Sequence, residues 1–303
     1  MNADERRRLI DKIGAAAHEA LAQGLPATEL WSLLLGVIEQ RAQRPVAALR
    51  RQWQDDRFVQ PAYVDQRTLN ALEAQLLAAA AHFEALELSP LAPLGSCSSV
   101  ALTSQNRIVS TARGTEVVSD PTNVLALESA RRLQADPDQI VRLATSHRCV
   151  RAQAVPQVPG FAAHFRIFCL ASAAHERADQ GFVTDALLDH IRTHLAALDR
   201  LEQHGYAFPA RTVKLLATPE REHLARRIAE ALDLPEEMTT LEHRYYDGLR
   251  FMIQAGSTAG EFIPLIDGGA FDWLHKLGSN RKLALVASGM GSQLAAYLYR
   301  RPA

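Results

Sequence analysis

Apolar residues recur at three- and four-residue steps through RRLIDKIGAAAHEALAQGL and TELWSLLLGVIEQRAQ, which predicts helices up to about Gln60, punctuated by Pro26, Thr28 and Pro45. A further Ala/Leu-rich helix is predicted from Leu69 to His82, running into the extended stretch FEALELSPLAP with Pro90 and Pro93. The pattern then changes. Short β-like runs (NRIVSTARGTEVVS, IVRLATSHRCVRAQ, HFRIFCLASAAH, RTVKLLAT, YYDGLRFMIQAG, GEFIPLIDGG) alternate with helical ones (TNVLALESARRLQ, REHLARRIAEALDL, AFDWLHKLG). Between about Asp179 and His204, Ala186, Leu187, His190, Ile191, His194, Leu195 and Leu198 mark a long amphipathic helix. The last run, KLALVASGMGSQLAAYLYRR, reads as strand, glycine turn and helix. Hairpin-spaced strands flanked by helices, without regular βαβ alternation, predict an α+β fold on a mostly antiparallel sheet, with residues 1–66 as a helical extension and 67–303 as the core.

Composition narrows the picture. With 303 residues, 48% hydrophobic and 22% charged, the chain can bury a core. Lys+Arg 33 against Asp+Glu 34 leaves a formal net charge of −1, so no global positive field gathers nucleic acid. The charged start MNADERRRLI and the broken apolar runs argue against a signal peptide or a membrane span. Three widely spaced cysteines, Cys97, Cys149 and Cys169, argue against a disulfide framework or a zinc site and suit a cytoplasmic location.

Several constellations could carry chemistry. The turn Ser288-Gly289-Met290-Gly291-Ser292 could cradle a phosphate, although close strand–helix packing explains its small residues better. His190 and His194, or Glu222 and His223, could begin a metal site but lack a third ligand at useful spacing, so a solvated or partly buried helix face is the better reading. The Arg50, Arg51, Arg57 cluster reads as a solvated face. Arg148, Arg151 and Arg166 lie on two strands of one predicted hairpin. Two or three of them on one face with Phe168 could clamp a phosphate or carboxylate and stack a flat ring; an ordinary charged hairpin fits the spacing equally well.

The order of these segments resembles the catalytic core of class II aminoacyl-tRNA synthetases, nearest to the histidyl-tRNA synthetases and their paralogue, the regulatory subunit of ATP phosphoribosyltransferase. The helix ending in FEALELSP resembles motif 1, which the family buries in a dimer interface. SHRCVRAQ with HFRIFCLASA resembles the motif 2 hairpin, and LALVASGMGSQLAAYLYR occupies the place of motif 3. The resemblance implies that Arg148 is the motif 2 arginine, gripping an α-phosphate and a carboxylate, with Arg166 beside it and Phe168 as the ring stacking on adenine. Tyr245 and Tyr246 would line the amino-acid pocket, Gly268 and Gly269 its floor, and Thr122 or Asn123 the place of a glutamate that holds the amino group.

Departures from the motifs bear on the reaction. Val150 stands at the motif 2 glutamate, Ala270 at the arginine of G-G-R-Y-D, Leu241 near the second-motif arginine, and Gln293 and Leu294 at the E-R of motif 3. Adenylation needs those charges, and removing one such donor typically costs about 3 kcal/mol. The resemblance therefore implies a catalytically degenerate paralogue: a homodimer that binds a small amino-acid- or nucleotide-like ligand and acts on a partner enzyme subunit, as in the regulation of histidine biosynthesis. With no anticodon-binding domain after Ala303, tRNA is not an expected partner, and neither is a membrane. The alternative is a stand-alone ligase activating a carboxylate with ATP and Mg²⁺, its lost cation replaced by Arg281 or Arg300. No cofactor or metal is assigned beyond that ATP.

Overall fold

The computed structural model describes residues 3–155, 160–234, 238–242, 245–257, 260, 262–278 and 280–301. The chain opens with α1 (Ala3–Ile13), α2 (Ala15–Glu19), α3 (Ala27–Ala42) and α4 (Val46–Asp55); α2, α3 and α4 bury no side chain. The first helix with a buried face is α5 (Gln66–Ala79). Its N-cap Asp65 accepts from the Thr68 N–H at 2.8 Å, and Leu69, Leu72 and Leu76 turn inward.

Next come β1 (Glu84–Ala85), β2 (Leu91–Pro93), β3 (Thr115–Val117), α6 (Pro121–Ala135), β4 (Val141–Val150), β5 (His164–His175) and α7 (Gly181–Glu202). The chain continues with β6 (Thr212–Ala217), α8 (Glu222–Ala231), β7 (Met238–Thr240), β8 (Leu249–Gly256), β9 (Phe262–Phe271), α9 (Trp273–Gly278), β10 (Leu283–Met290) and α10 (Ser292–Leu298). Eight strands form one sheet in the order β1-β4-β5-β10-β9-β8-β6-β7, antiparallel except for the pairs β1/β4 and β6/β7 at its two edges. This is the α+β architecture that the segment pattern predicts.

Alternation along the strands divides the core in two. One face, carrying Ala144, Phe168, Leu170, Phe251 and Val286, packs under α5, α7 and α10. The other, carrying Leu143, Cys169, Ala171, Phe271 and Leu285, packs under α6 and α9. The α7 stripe is buried more deeply than the spacing suggests. His190 and His194 are fully enclosed and not on a solvated face, with His190 bonded to Ser172 (3.0 Å) and Ser288 (2.9 Å) and His194 to Ser288 (2.8 Å). Among the described residues no three His, Cys, Asp or Glu side chains converge on one metal-sized space.

The run NRIVSTARGTEVVS is less regular than predicted, forming a 3₁₀ turn at Gln105–Arg107 and a strand only at Thr115–Val117. The buried Glu116 carboxylate accounts for this. It accepts the N–H groups of Gly95 (2.8 Å) and Cys97 (2.9 Å) and the Gln105 amide (2.9 Å), so loop donors are satisfied by a side chain and not by a ladder.

Candidate functional site

A cavity of about 660 Å³ opens on the α6 face of the sheet, within the size range of small-molecule sites. Its floor is β9 and β10, its near wall is the N-terminal end of α6, and its far wall is the connection between β4 and β5. Close packing builds the floor. A Cβ on Gly268 would stand 2.7 Å from the Phe251 ring and against Ser288, and one on Gly269 would stand 2.6 Å from the Tyr246 ring and against the Leu249 carbonyl. Tyr245 and Tyr246 line the adjoining wall. Burial pushes the Tyr246 phenol up, so it stays a neutral donor.

The α6 end is a polar shelf. Asp120 caps the helix, its Oδ1 accepting the Thr122 N–H at 3.0 Å and the Thr122 hydroxyl at 2.7 Å. Thr122 and Asn123 are both buried and both line the cavity. The Asn123 Oδ1 has no hydrogen-bond partner among the described residues.

The arginine at the cavity is Arg151. It follows the last residue of β4, its N–H donating to the Ala163 carbonyl at 2.9 Å, and its side chain lies over the Phe165 ring with the guanidinium carbon 5.0 Å from the centroid. Its Nε donates to the Ser119 carbonyl at 3.0 Å, and one terminal nitrogen stands 3.5 Å from Asp120. Gln153, two residues on, and Phe161, across the connection, complete this wall. Arg107 adds a second cation at the rim, and Leu294 presents a methyl-bearing side chain where the motif 3 arginine was expected. Arg281 and Arg300, the two substitutes considered, do not line the cavity; Arg300 donates to the Thr68 hydroxyl at 3.2 Å.

The structure divides the sequence-derived set. Thr122, Tyr245, Tyr246 and Gly268 meet at the cavity, and Gly269 backs Tyr246. Phe168 does not meet them. It is fully buried on the opposite face, edge-on to His194 with centroids 6.0 Å apart, and the phenylalanines that line the cavity are Phe161, Phe165 and Phe271. Arg148 also corrects to the opposite face. It pairs in register with Arg166, and its guanidinium donates to His164 Nδ1 (3.0 Å) and Gln293 Oε1 (3.2 Å). Burial and then the neighbouring Arg166 pull the Arg148 pKa down.

Arg166 borders the cavity, but its guanidinium is committed to Glu73 (2.7 Å) and the Ser146 carbonyl (3.0 Å). Strand parity explains both corrections. Positions 148, 166 and 168 share one face, and the cavity lies on the other, with Phe165, Ile167 and Cys169. Arg151 was legible in the sequence as one of the three arginines of the hairpin, with Arg148 and Arg166.

All three cysteines are free and buried; burial raises their thiol pKa values, and only Cys97 and Cys169 touch the cavity. Among the described residues no helix is long and apolar enough to cross a membrane.

No protein-family model matches the sequence, and no curated protein is similar to it. Solved structures are. A protein described as an ATP phosphoribosyltransferase regulatory subunit/histidyl-tRNA synthetase from Bacillus halodurans superposes with a TM-score of 0.57 at 14% identity, over 78% of this chain and 82% of that one. A histidine–tRNA ligase subunit from Alicyclobacillus acidocaldarius gives 0.58 at 15% identity, over 78% and 95%. The apo histidyl-tRNA synthetase of S. aureus gives 0.53 at 10% identity, over 76% and 64%. At these identities the likeness is one of fold: the chain carries a class II aminoacyl-tRNA synthetase-like core of the kind seen in histidyl-tRNA synthetases and in the ATP phosphoribosyltransferase regulatory subunit.

Proposed function

We propose that the chain is a catalytically degenerate class II synthetase-like protein that binds a small zwitterionic or nucleotide-like ligand in the α6-face cavity and regulates a partner enzyme. The observation that carries the reading is one cavity lined by the start of α6, the tyrosine pair and Arg151 over Phe165. The Asp120 carboxylate, which caps α6, stands 3.5 Å from a terminal nitrogen of Arg151, so an anionic and a cationic group sit side by side at this cavity. An ammonium suits the first, and a carboxylate or phosphate the second. Phe165 and Phe161 offer faces for a flat ring.

The cavity favours binding over adenylation. Leu294 faces the space where a polyphosphate would need a cation, and Gln293 is engaged by Arg148. The regulatory role is carried over from the fold neighbour that is described as a regulatory subunit. One observation favours the ligase reading: Arg107 at the rim is a cation without an acidic partner among the described residues and could meet a phosphate. Amino-acid-dependent exchange of pyrophosphate into ATP, run with each amino acid at millimolar concentration, separates the two. The regulatory reading expects none, whereas exchange lost on Arg107→Ala establishes the ligase.

A further inference from the structure

The helical extension touches the core at few places, and two of them are the ends of one connection. Arg57 donates to the Gln153 carbonyl at 3.0 Å where the chain leaves β4. The Gln60 carbonyl meets His164 Nε2 at 2.7 Å where the chain enters β5. Phe161 lies between those anchors, and together with Gln153 and with Phe165, just inside β5, it walls the cavity. The β4–β5 connection is thus tied to residues 57–60 on both sides.

The His164 ring is the joint, and its bonds define its proton. Arginine can only donate, so Nδ1 opposite Arg148 at 3.0 Å must carry a lone pair. A carbonyl can only accept, so Nε2 opposite Gln60 must carry the hydrogen. Only the neutral Nε2–H tautomer satisfies both neighbours. Arg148 passes the restraint onward to Gln293 at the start of α10 (3.2 Å), giving a chain from extension to hairpin to the last helix. Arg148 of β4 faces the ring, and beside Arg148 stand Arg166 of β5 and its partner Glu73 of α5. Protonating the ring would set an N–H against the Arg148 N–H and a second cation against its charge.

We propose that Arg57, Gln60 and neutral His164 are positioning residues that hold the cavity's hairpin wall against the helical extension, so that whatever displaces the extension loosens the ligand site. The bearing on regulation rests on the cavity being the ligand site; the latch itself does not. Its test is amide hydrogen exchange of the full chain without ligand, corrected for intrinsic rates, at pH 8 and pH 5.5, since histidine is the side chain that changes charge across that span. Peptides covering 147–155 and 160–168 of the wild type should be accelerated at the lower pH at least tenfold more than β8 and β9, which report the global fall in stability. His164→Gln can accept from Arg148 and donate to Gln60 in one protonation state, and its two peptides should show no acceleration beyond that of β8 and β9. Arg57→Ala should exchange faster at both. Wild-type rates insensitive to pH, or a His164→Gln protein as acid-sensitive as wild type, would overturn the proposal. Because no ligand is present, this experiment can fail while a binding titration succeeds, and the reverse.

Discussion

Arg148 and Arg151 are three positions apart in sequence and end on opposite sides of the sheet. Within β4 the two-residue alternation places Arg148 with Arg166 and Phe168, as a hairpin reading predicts, but which of the two faces bears the cavity is decided by where α5, α7 and α10 pack. That is long-range information, and it leaves Arg151 and Phe165, not Arg148 and Phe168, lining the cavity. Thr122, the tyrosine pair and Gly268 do lie together at the cavity, Thr122 in the first turn of α6 and Gly268 inside β9. The histidines of α7 make a residue-scale prediction. Burial drives His194 down to about 3 and His190 well below the ordinary histidine value. An unfolded histidine titrates near ~6.5, so between these limits the unfolded state binds more protons. Stability should be full above about pH 6.5 and fall as the pH drops toward 3. Urea midpoints measured along that range should show a shallower fall for His194→Gln, which keeps a group able to bond Ser288 but does not titrate.

Elements were read more reliably than faces. The predicted helix from Asp179 to His204 forms as Gly181–Glu202, and the final strand, turn and helix form as β10 and α10, because each shows its period over enough residues to be unambiguous. What the period does not show is how α5, β5 and α10 lock together. Glu73, only 5% exposed, accepts from Arg166 at 2.7 Å and from the Ser292 hydroxyl at 3.2 Å, tying three elements that are far apart in sequence. Removing one partner of a fully buried pair costs about 3–5 kcal/mol. Arg166 keeps 27% of its side chain in solvent, which discounts that figure. Glu73→Gln should therefore destabilise the protein by about 2 kcal/mol in urea unfolding, and a change under about 0.5 kcal/mol would show that the pair is already solvated.

At the scale of the molecule, the extension leaves a run of apolar side chains uncovered. Leu33, Val37, Val46, Leu49 and Trp53 stand exposed on α3 and α4, helices on which no side chain is fully buried. Isolated helices of this length are marginal in water, so they need a packing partner. We expect a homodimer, assembled through the α5–β1 region with these helices at or near the contact; light scattering should give twice the 33.3 kDa chain mass at micromolar concentration, and a monomer would contradict it.

We propose the α6-face cavity, and not the Arg148 side of the sheet, as the ligand site. Calorimetric titration of the wild type, Arg151→Ala and Arg148→Ala with AMP and with L-histidine tests it most directly. Loss of a charge-assisted contact of about 1.5–3 kcal/mol corresponds to a weakening of roughly ten- to a hundredfold. The account predicts that loss for Arg151→Ala, with Arg148→Ala retaining affinity within a few fold. Binding abolished by Arg148→Ala and spared by Arg151→Ala, or no binding of either compound to the wild type, would contradict it.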